Sequence, residues 1–281
     1  MTAAASRWLA LAPLLGSGCG VCASIGEPVD LGIVDDDRVE EASGLAWGGA
    51  AWWAHNDTDE TPALYAIDGQ ARVVAQVRML AVSPVDVEDI AARYEGGAPV
   101  ELLIGDIGDN DGDRDEIVLL RAPTPAVESG DLRVERVVWT YDDGEARDAE
   151  ALLVDPTDGA PYVITQEADG GAAVFRAAGA SAVADVLERV GDVTPFGDGD
   201  ARVTAGDVSP DGRRVALRTR GYVAAWERRD GETLTDVFTR RPCVRPLADE
   251  PQGEALAFDD AGFATLSEGP GQALRWYPWG P

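Results

Sequence analysis

"GDVSPDGRRVALRTRGYVAAWERR", Gly206 to Arg229, is the stretch whose reading decides the fold. It divides into three short runs, "GDV", "RRVALRTR" and "YVAAWERR", parted by the Ser-Pro-Asp-Gly of Ser209–Gly212 and by Gly221. None of the runs shows a 3.6-residue apolar period, so strands are favoured over helices. The Asp-Gly step suits a tight hairpin, because Gly takes a positive φ without steric cost.

The same sentence recurs along the chain at intervals of roughly fifty residues. "EASGLAW" (Glu41–Trp47), "VEDIAA" (Val87–Ala92), "AEALLV" (Ala149–Val154) and "GEALAF" (Gly253–Phe258) each set a small or acidic pair before a short apolar strand, as Gly206–Gly212 does. Second runs follow: "AAWWAHND", "VELLIGDIGDN", "APYVITQE", "RRVALRTR" and "GFATLSEG". Third and fourth runs complete the units, among them "EIVLLRAP" with "LRVERVVWTY", and "YVAAWERR" with "LTDVFTRR". Four short strands per unit, separated by Gly, Pro, Asp and Asn, describe a propeller blade. The last unit, "GEALAF", "FATLSE" and "ALRWYPW", lacks an outer strand, and "PVDLGIVDD" (Pro28–Asp36) can supply it. The expectation is therefore all-β: a five-bladed β-propeller over residues 27–281, closed by an N-terminal strand that completes the last blade. A sixth blade would need a unit hidden in the longer second or third interval. Trp52, Trp53, Trp139, Trp226, Trp276 and Trp279 fall mostly inside strands and read as packing between blades.

The 281 residues carry 23 Lys+Arg against 51 Asp+Glu, a net charge of −28. Such a chain repels phosphate backbones, so nucleic acid is not an expected partner. Residues 1–22 read as a leader: Arg7, a short apolar stretch from Trp8 to Leu15, then small residues, too short to span a bilayer. "LLGSGC" (Leu14–Cys19) resembles a lipoprotein box, which would confine any membrane contact to a lipid on Cys19. The expected location is outside the cytoplasm: periplasmic, on the cell surface or secreted. There Cys22 and Cys243 are free either to pair or to remain thiols.

In a blade the start of the first strand and the end of the second meet at one mouth of the central channel. Starts offer Ser43, Glu88 with Asp89, Asp148 with Glu150, Asp207 and Gln252 with Glu254; ends offer His55, Asn56 and Asp57, then Asp106 and Asp109, then Gln166, Arg218, Arg220 and Glu268. Gathered carboxylates repel one another unless a cation neutralises them. Oxygen-only donors suit a hard divalent ion, so Glu88, Asp89, Asp106, Asp109, Glu150 and Glu254 are the expected metal ligands and Ca²⁺ the expected cofactor. His55, Asn56, Asp57, Gln166, Arg218, Arg220 and Glu268 are the expected contacts to a small-molecule or ion ligand. Asp109, Asp111 and Asp113 alternate as in a calcium loop, but Arg114 and Leu120 stand where an EF-hand needs Gly and Glu. A solvated hairpin tip is the expectation here, and a looser calcium loop the alternative. His55 is the one histidine, which rules out a three-histidine zinc centre, and no Gly-x-Ser-x-Gly elbow is present.

With "HND", "GDIGDN", "RDAEAL", "SPDGRRVALRTR" and "QGEAL" in view, the chain resembles exported bacterial β-propellers of the broad phytase-like and gluconolactonase-like superfamily. The SPDG hairpin resembles WD-repeat and TolB-like propellers. The resemblance implies a divalent cation, calcium, at the channel mouth. Two functions follow as expectations: a ligand-binding or surface protein, or a metal-dependent hydrolase of phosphate esters or lactones.

Overall fold

The structure is a computed structural model that describes residues 19–57, 61–167, 170–178, 184–194 and 196–280; the expected leader lies outside them up to residue 18. A short helix α1 (Cys19–Ser24) leads to β1 (Val29–Val34). Four strands then run as an antiparallel meander, β2 (Ala42–Trp47), β3 (Trp52–Asn56), β4 (Ala63–Ile67) and β5 (Val73–Leu80). Next come β6 (Val87–Glu95), β7 (Ala98–Asp106), β8 (Ile117–Pro123), β9 (Gly130–Arg133) and β10 (Glu135–Tyr141). They are followed by β11 (Ala149–Val154), β12 (Pro161–Thr165), β13 (Ala172–Arg176) and β14 (Ala184–Val193). The chain continues through β15 (Ala205–Val208), β16 (Arg214–Arg218), β17 (Tyr222–Glu227), helix α2 (Leu234–Phe238) and β18 (Cys243–Pro246), and ends in β19 (Gly253–Phe258), β20 (Gly262–Ser267) and β21 (Gln272–Pro278).

The sheets follow this order. β2-β3-β4-β5 gains β9 at its edge, β15-β16-β17-β18 stands alone, and β6-β7-β8-β10 joins β14-β13-β12-β11 through a parallel β10–β14 contact. The last sheet, β19-β20-β21, takes β1 as its outer strand, with Val29 opposite Trp276 and Val34 opposite Gln272, so the two ends of the described chain close one sheet. The first strands β2, β6, β11, β15 and β19 pack against one another in a closed ring. They are buried on both faces, which is why they read as unbroken small and apolar runs rather than alternating ones.

Five clusters of apolar side chains fill the spaces between neighbouring sheets, each with its own aromatics. Trp53, Trp139 and Trp226 are fully buried in three of them and Trp279 in a fourth, as the strand positions of the tryptophans imply. Cys22 and Cys243 form a disulfide across 221 residues, tying α1 to β18.

Two expected strands differ. "LTDVFTRR" forms α2 and the turn after it, and the fourth strand of that sheet is β18 instead. Thr233 and Asp236 make a reciprocal capping box, and Leu234, Val237 and Phe238 fall on one buried helical face; those local signals outweigh the β pattern. "LRVERVVWTY" is broken at Val134: β9 pairs with β5 of the preceding sheet, and only β10 stays in its own.

Candidate functional site

The five inner strands begin at one end of the ring, and the register fixes what lies there. In four of them the first pair is followed by a one-residue bulge. Ser43 is skipped between Ala42↔Asn56 and Gly44↔His55, Glu88 between Val87↔Asp106 and Asp89↔Gly105, Glu150 between Ala149↔Thr165 and Ala151↔Ile164, and Glu254 between Gly253↔Ser267 and Ala255↔Leu266. A bulge re-aims the extra residue's side chain off the ladder. Here it gives Ser43, Glu88, Glu150 and Glu254 equivalent stations around the channel end. In the β15 sheet the mouth residue is Thr204, whose Oγ1 donates to the Gly253 carbonyl (2.9 Å) as Ser43 Oγ donates to that of Glu88 (2.7 Å). Asp207 lies deeper, its carboxylate accepting from the backbone N–H groups of Phe258 and Val208 (both 2.7 Å).

Two carboxylate triads form at this mouth, Asp57 with Asp86 and Glu88, and Glu88 with Asp148 and Glu150. Each triad offers oxygens within 4.8 Å of one another, and Glu88 belongs to both. Among the described residues none of these five acids has an Arg partner. The neighbours are neutral donors: Gln166 Nε2 to Glu150 (2.7 Å), the Asp109 N–H to Asp148 (2.9 Å), Asn110 Nδ2 to Asp86 (3.4 Å) and Ser43 Oγ to Glu88 Oε2 (3.5 Å). Asp57 Oδ1 is buried without a hydrogen bond. Burial, and after it the charges of Glu150, Asp57, Asp86 and Asp148, push the Glu88 carboxyl far up. Burial raises Glu150 as well, then Asp148 and Glu254; Asp57 rises by burial and by Asp86, and Asp148 mainly by burial. An all-oxygen set with an unsatisfied buried atom and no ion pair among the described residues, opposed only by the charge of Arg202 acting on Asp148, fits a hard divalent cation, whose oxygen bonds of about 2.3–2.6 Å bridge such a span.

Beside the triads is a small cleft of about 90 Å³ lined by Glu150, Gln166, Thr204, Arg202, Arg220 and Glu254, with Asn110 and Asp200 at its rim. Arg202 is held by Asp200 (2.6 Å) and donates to Gln166 Oε1 (3.1 Å). Arg220 stands 3.5 Å from Glu254 with 46% of its side chain exposed. Burial raises the Glu254 carboxyl, with Arg220 and Arg218 opposing.

The other expected ligands stand outside this cluster. Asp89 points into the closed channel, where it accepts from the N–H groups of Ile90 (2.8 Å), Leu152 (2.9 Å) and Gly206 (3.4 Å) and so ties three inner strands; burial raises its carboxyl well above the usual range. Asp106 accepts from the N–H groups of Val85 (3.2 Å) and Asp86 (3.1 Å) and pairs with Arg114 (2.9 Å), which sets Asp86 in place. Asp109 accepts from the N–H groups of Asp113 and Arg114 (both 3.0 Å), while Asp111 and Asp113 are exposed, so this stretch is a hairpin tip closed on itself. His55 is buried beneath the mouth, bonded through Nδ1 to the Asn56 carbonyl (3.0 Å), and burial lowers its pKa to about 4. Asn56 accepts from the Glu41 N–H (3.2 Å) and donates to the Arg38 carbonyl (3.0 Å), and Glu268 bonds to Gln252 at the rim. Arg218 is 0% exposed and pairs with Glu250, also 0% exposed, at 2.8 Å. A Cβ on Gly253 would collide with Arg218 Nη2, so the glycine makes room for the guanidinium.

Asp86, Thr204 and Arg202 are the site residues that the repeat alignment misses, and it also misses Glu250, the buried partner of Arg218. Asp86 has one signal in sequence: it is an acid two residues ahead of Glu88, in the segment entering the inner strand.

No protein-family profile matches the chain, and no curated protein sequence is similar to it. Among solved structures, the PQQ-bound aldose sugar dehydrogenase of Streptomyces coelicolor is similar at a TM-score of 0.50 and 10% identity, over 89% of this chain and 98% of that one. The fold is a β-propeller. Nidogen in its complex with laminin aligns over 82% of this chain and 73% of its own at 10% identity (TM-score 0.47). The Dos1 propeller aligns over 85% and 68% at 9% identity (TM-score 0.39). Identities this low speak for the fold alone.

Proposed function

We propose that the protein is an exported, five-bladed β-propeller that binds a divalent cation, calcium, at its channel mouth, and acts as a ligand-binding or surface protein through that site. The blade count rests on the ring of five inner strands and the five clusters between sheets. Export, with the protein periplasmic, secreted or held at the surface by a lipid on Cys19, is supported by the leader-like stretch that precedes Cys19 and by the Cys22–Cys243 disulfide, since such bonds persist in oxidising compartments. The observation that carries the cation is the sharing of Glu88 between two carboxylate triads, none of whose acids forms an ion pair among the described residues. Asp57, Asp86, Glu88, Asp148 and Glu150 would hold the ion, and the small cleft beside Glu150 would admit the oxygen atoms of a small ligand. Hydrolysis of a phosphate ester or lactone is the second reading. It is favoured by Arg220, half exposed beside that cleft, where a guanidinium can meet an anionic group next to a Lewis acid.

Thermal melting in EDTA, then with calcium restored, tests the binding reading together with elemental analysis. An ion that binds only the folded state must raise Tm. An unchanged Tm with no metal found refutes it. Turnover of phosphate esters or lactones that disappears in Glu150→Gln would select the second reading.

A further inference from the structure

We propose that the segment from Asp106 to Asn110, locked by Arg114, is the specificity element of the cation site: it holds Asp86 and Asp148 so that they accept calcium without moving and resist the contraction that magnesium demands. The inference rests on the cation reading above and gives a role to residues that reading leaves out. The segment leaves the end of β7 and touches both triads. Asp106 to Asp109 are buried, and Ile107, 0% exposed, anchors them in the apolar cluster between the β6 and β11 sheets. The Asp109 N–H donates to Asp148 (2.9 Å), Asn110 Nδ2 donates to Asp86 Oδ2 (3.4 Å), and the Gly108 N–H donates to the Asp86 carbonyl (3.2 Å). One acid of each triad is thereby bonded to the same short stretch of chain.

Arg114 is the positioning residue behind it. Its Nη1 donates to the Gly108 carbonyl (2.6 Å) and its Nη2 to the Asp106 carbonyl (3.2 Å) and carboxylate (2.9 Å). That carboxylate also accepts from the Val85 and Asp86 N–H groups, so both stretches of chain that place Asp86 converge on one guanidinium. Gly108 shows how close the fit is. Its φ lies outside the left-handed region, so alanine would be unstrained there, yet a Cβ would collide with Glu88 Oε1 and Asp86 Oδ2. The acids, not the backbone, require the glycine.

Ion size decides the consequence. Two oxygens on one ion lie at most twice the bond length apart, about 5 Å for calcium and about 4 Å for magnesium. The oxygens of each triad, within 4.8 Å of one another, are inside calcium's reach as they stand. Magnesium needs near-ideal octahedral geometry, so its ligands must move to it, and the bonds to this segment oppose the movement. Charge alone predicts the opposite effect of losing Arg114: an uncompensated Asp106 would draw any divalent cation more strongly.

Calorimetric titration of the full chain, freed of metal with EDTA and dialysed, compares calcium with magnesium in the parent, Arg114→Gln, Arg114→Lys and Gly108→Ala, with the metal-free Tm of each as control. The parent is expected to prefer calcium. Arg114→Gln should bind calcium about tenfold more weakly, the usual effect of removing an outer partner of a metal ligand, and magnesium nearly as before. Arg114→Lys should recover part of the preference, and Gly108→Ala, which displaces Glu88 and Asp86, should weaken both ions. A parent without preference, tighter or unchanged calcium binding in Arg114→Gln, or equal weakening of both ions in that variant overturns the proposal. Should Arg114→Gln fail to fold, Gly108→Ala decides, and unchanged calcium affinity there overturns it. A parent that binds neither ion refutes the cation reading itself, and this inference with it.

Discussion

Two buried acidic places in this molecule meet the same electrostatic problem in opposite ways. Between the β15 and β19 sheets Glu250 is fully buried but faces the equally buried Arg218, accepts from Thr265 Oγ1 (2.7 Å) and is reached by Arg275 (3.4 Å). Across the channel end Glu88, also buried, faces four other acids and, besides them, only the Ser43 hydroxyl at 3.5 Å. The first place carries its own counter-charge and needs nothing from solution. The second is stable only if protons or a cation arrive, which marks it as the functional one.

The sharpest way to break the contrast is at the self-sufficient pair. Arg218→Met leaves Glu250 buried with the Thr265 hydroxyl and the longer Arg275 contact alone, and removal of one partner of a buried pair costs about 3–5 kcal/mol. Urea unfolding in the presence and absence of calcium should show that loss equally under both conditions. A loss confined to the calcium-free sample would mean that the two places are coupled and the comparison is false.

Calcium itself should produce the next largest effect. At a free concentration a hundredfold above Kd, stabilisation is about 2.7 kcal/mol. Glu88→Gln should abolish the response and, by removing a repelled carboxylate, leave the calcium-free protein at least as stable as the parent near pH 8. A variant that still responds fully would locate the ion elsewhere.

The pH profile sharpens the same point by its sign. Glu88, Glu150 and Asp57 have carboxyls raised in the folded state above their ordinary 4.5, 4.5 and 3.8. The folded protein thus holds protons that the unfolded chain releases. In EDTA the stability due to these protons is complete below those ordinary values and falls as pH rises above them, by about 1.4 kcal/mol for each tenfold difference in proton affinity between the folded and unfolded chain. With calcium present the ion takes the protons' place, and its stabilising increment should grow with pH over the same window. Unfolding measured from pH 4 to 8 with and without calcium should give diverging curves; parallel curves would detach the cation from these acids.

How far the sequence reveals this arrangement depends on the range of the interaction. The Asp-Gly hairpin at Asp211–Gly212 and the strand that β1 lends to β21 are legible because turn chemistry and a missing fourth run are local or countable. The α2 segment is misread because "LTDVF" offers apolar residues to either period, and its capping box is the deciding signal. Residue-level registration fails at the bulges. Aligning Gly206 with Glu88 puts Asp207 near the mouth, whereas the chain places Thr204 there, and one skipped residue reverses which side chain faces the channel. Asp106 and Asp109 belong to the right end of the sheet, but their oxygens are taken by nearby backbone N–H groups, a commitment that composition cannot display. The partner of Arg218 is 32 residues away in a connecting segment without a repeat, so only folding reveals it.

Ser43 gives the smallest test and separates bulge geometry from charge. It occupies the station that Glu88, Glu150 and Glu254 hold in their own strands, yet it contributes a hydroxyl that fixes the Glu88 carbonyl at 2.7 Å and approaches Glu88 Oε2 at 3.5 Å. A neutral hydrogen bond of this kind is worth about 1 kcal/mol. Ser43→Ala should cost about that much stability and, because it loosens the one side chain common to both triads, weaken calcium by several-fold in isothermal titration while the number of ions bound stays the same. Unchanged affinity alongside the stability loss would show that Glu88 is positioned by the bulge alone. A changed ion count would mean that Ser43 itself is a ligand, and the line between the scaffold and the binding acids would then run one residue further into the site.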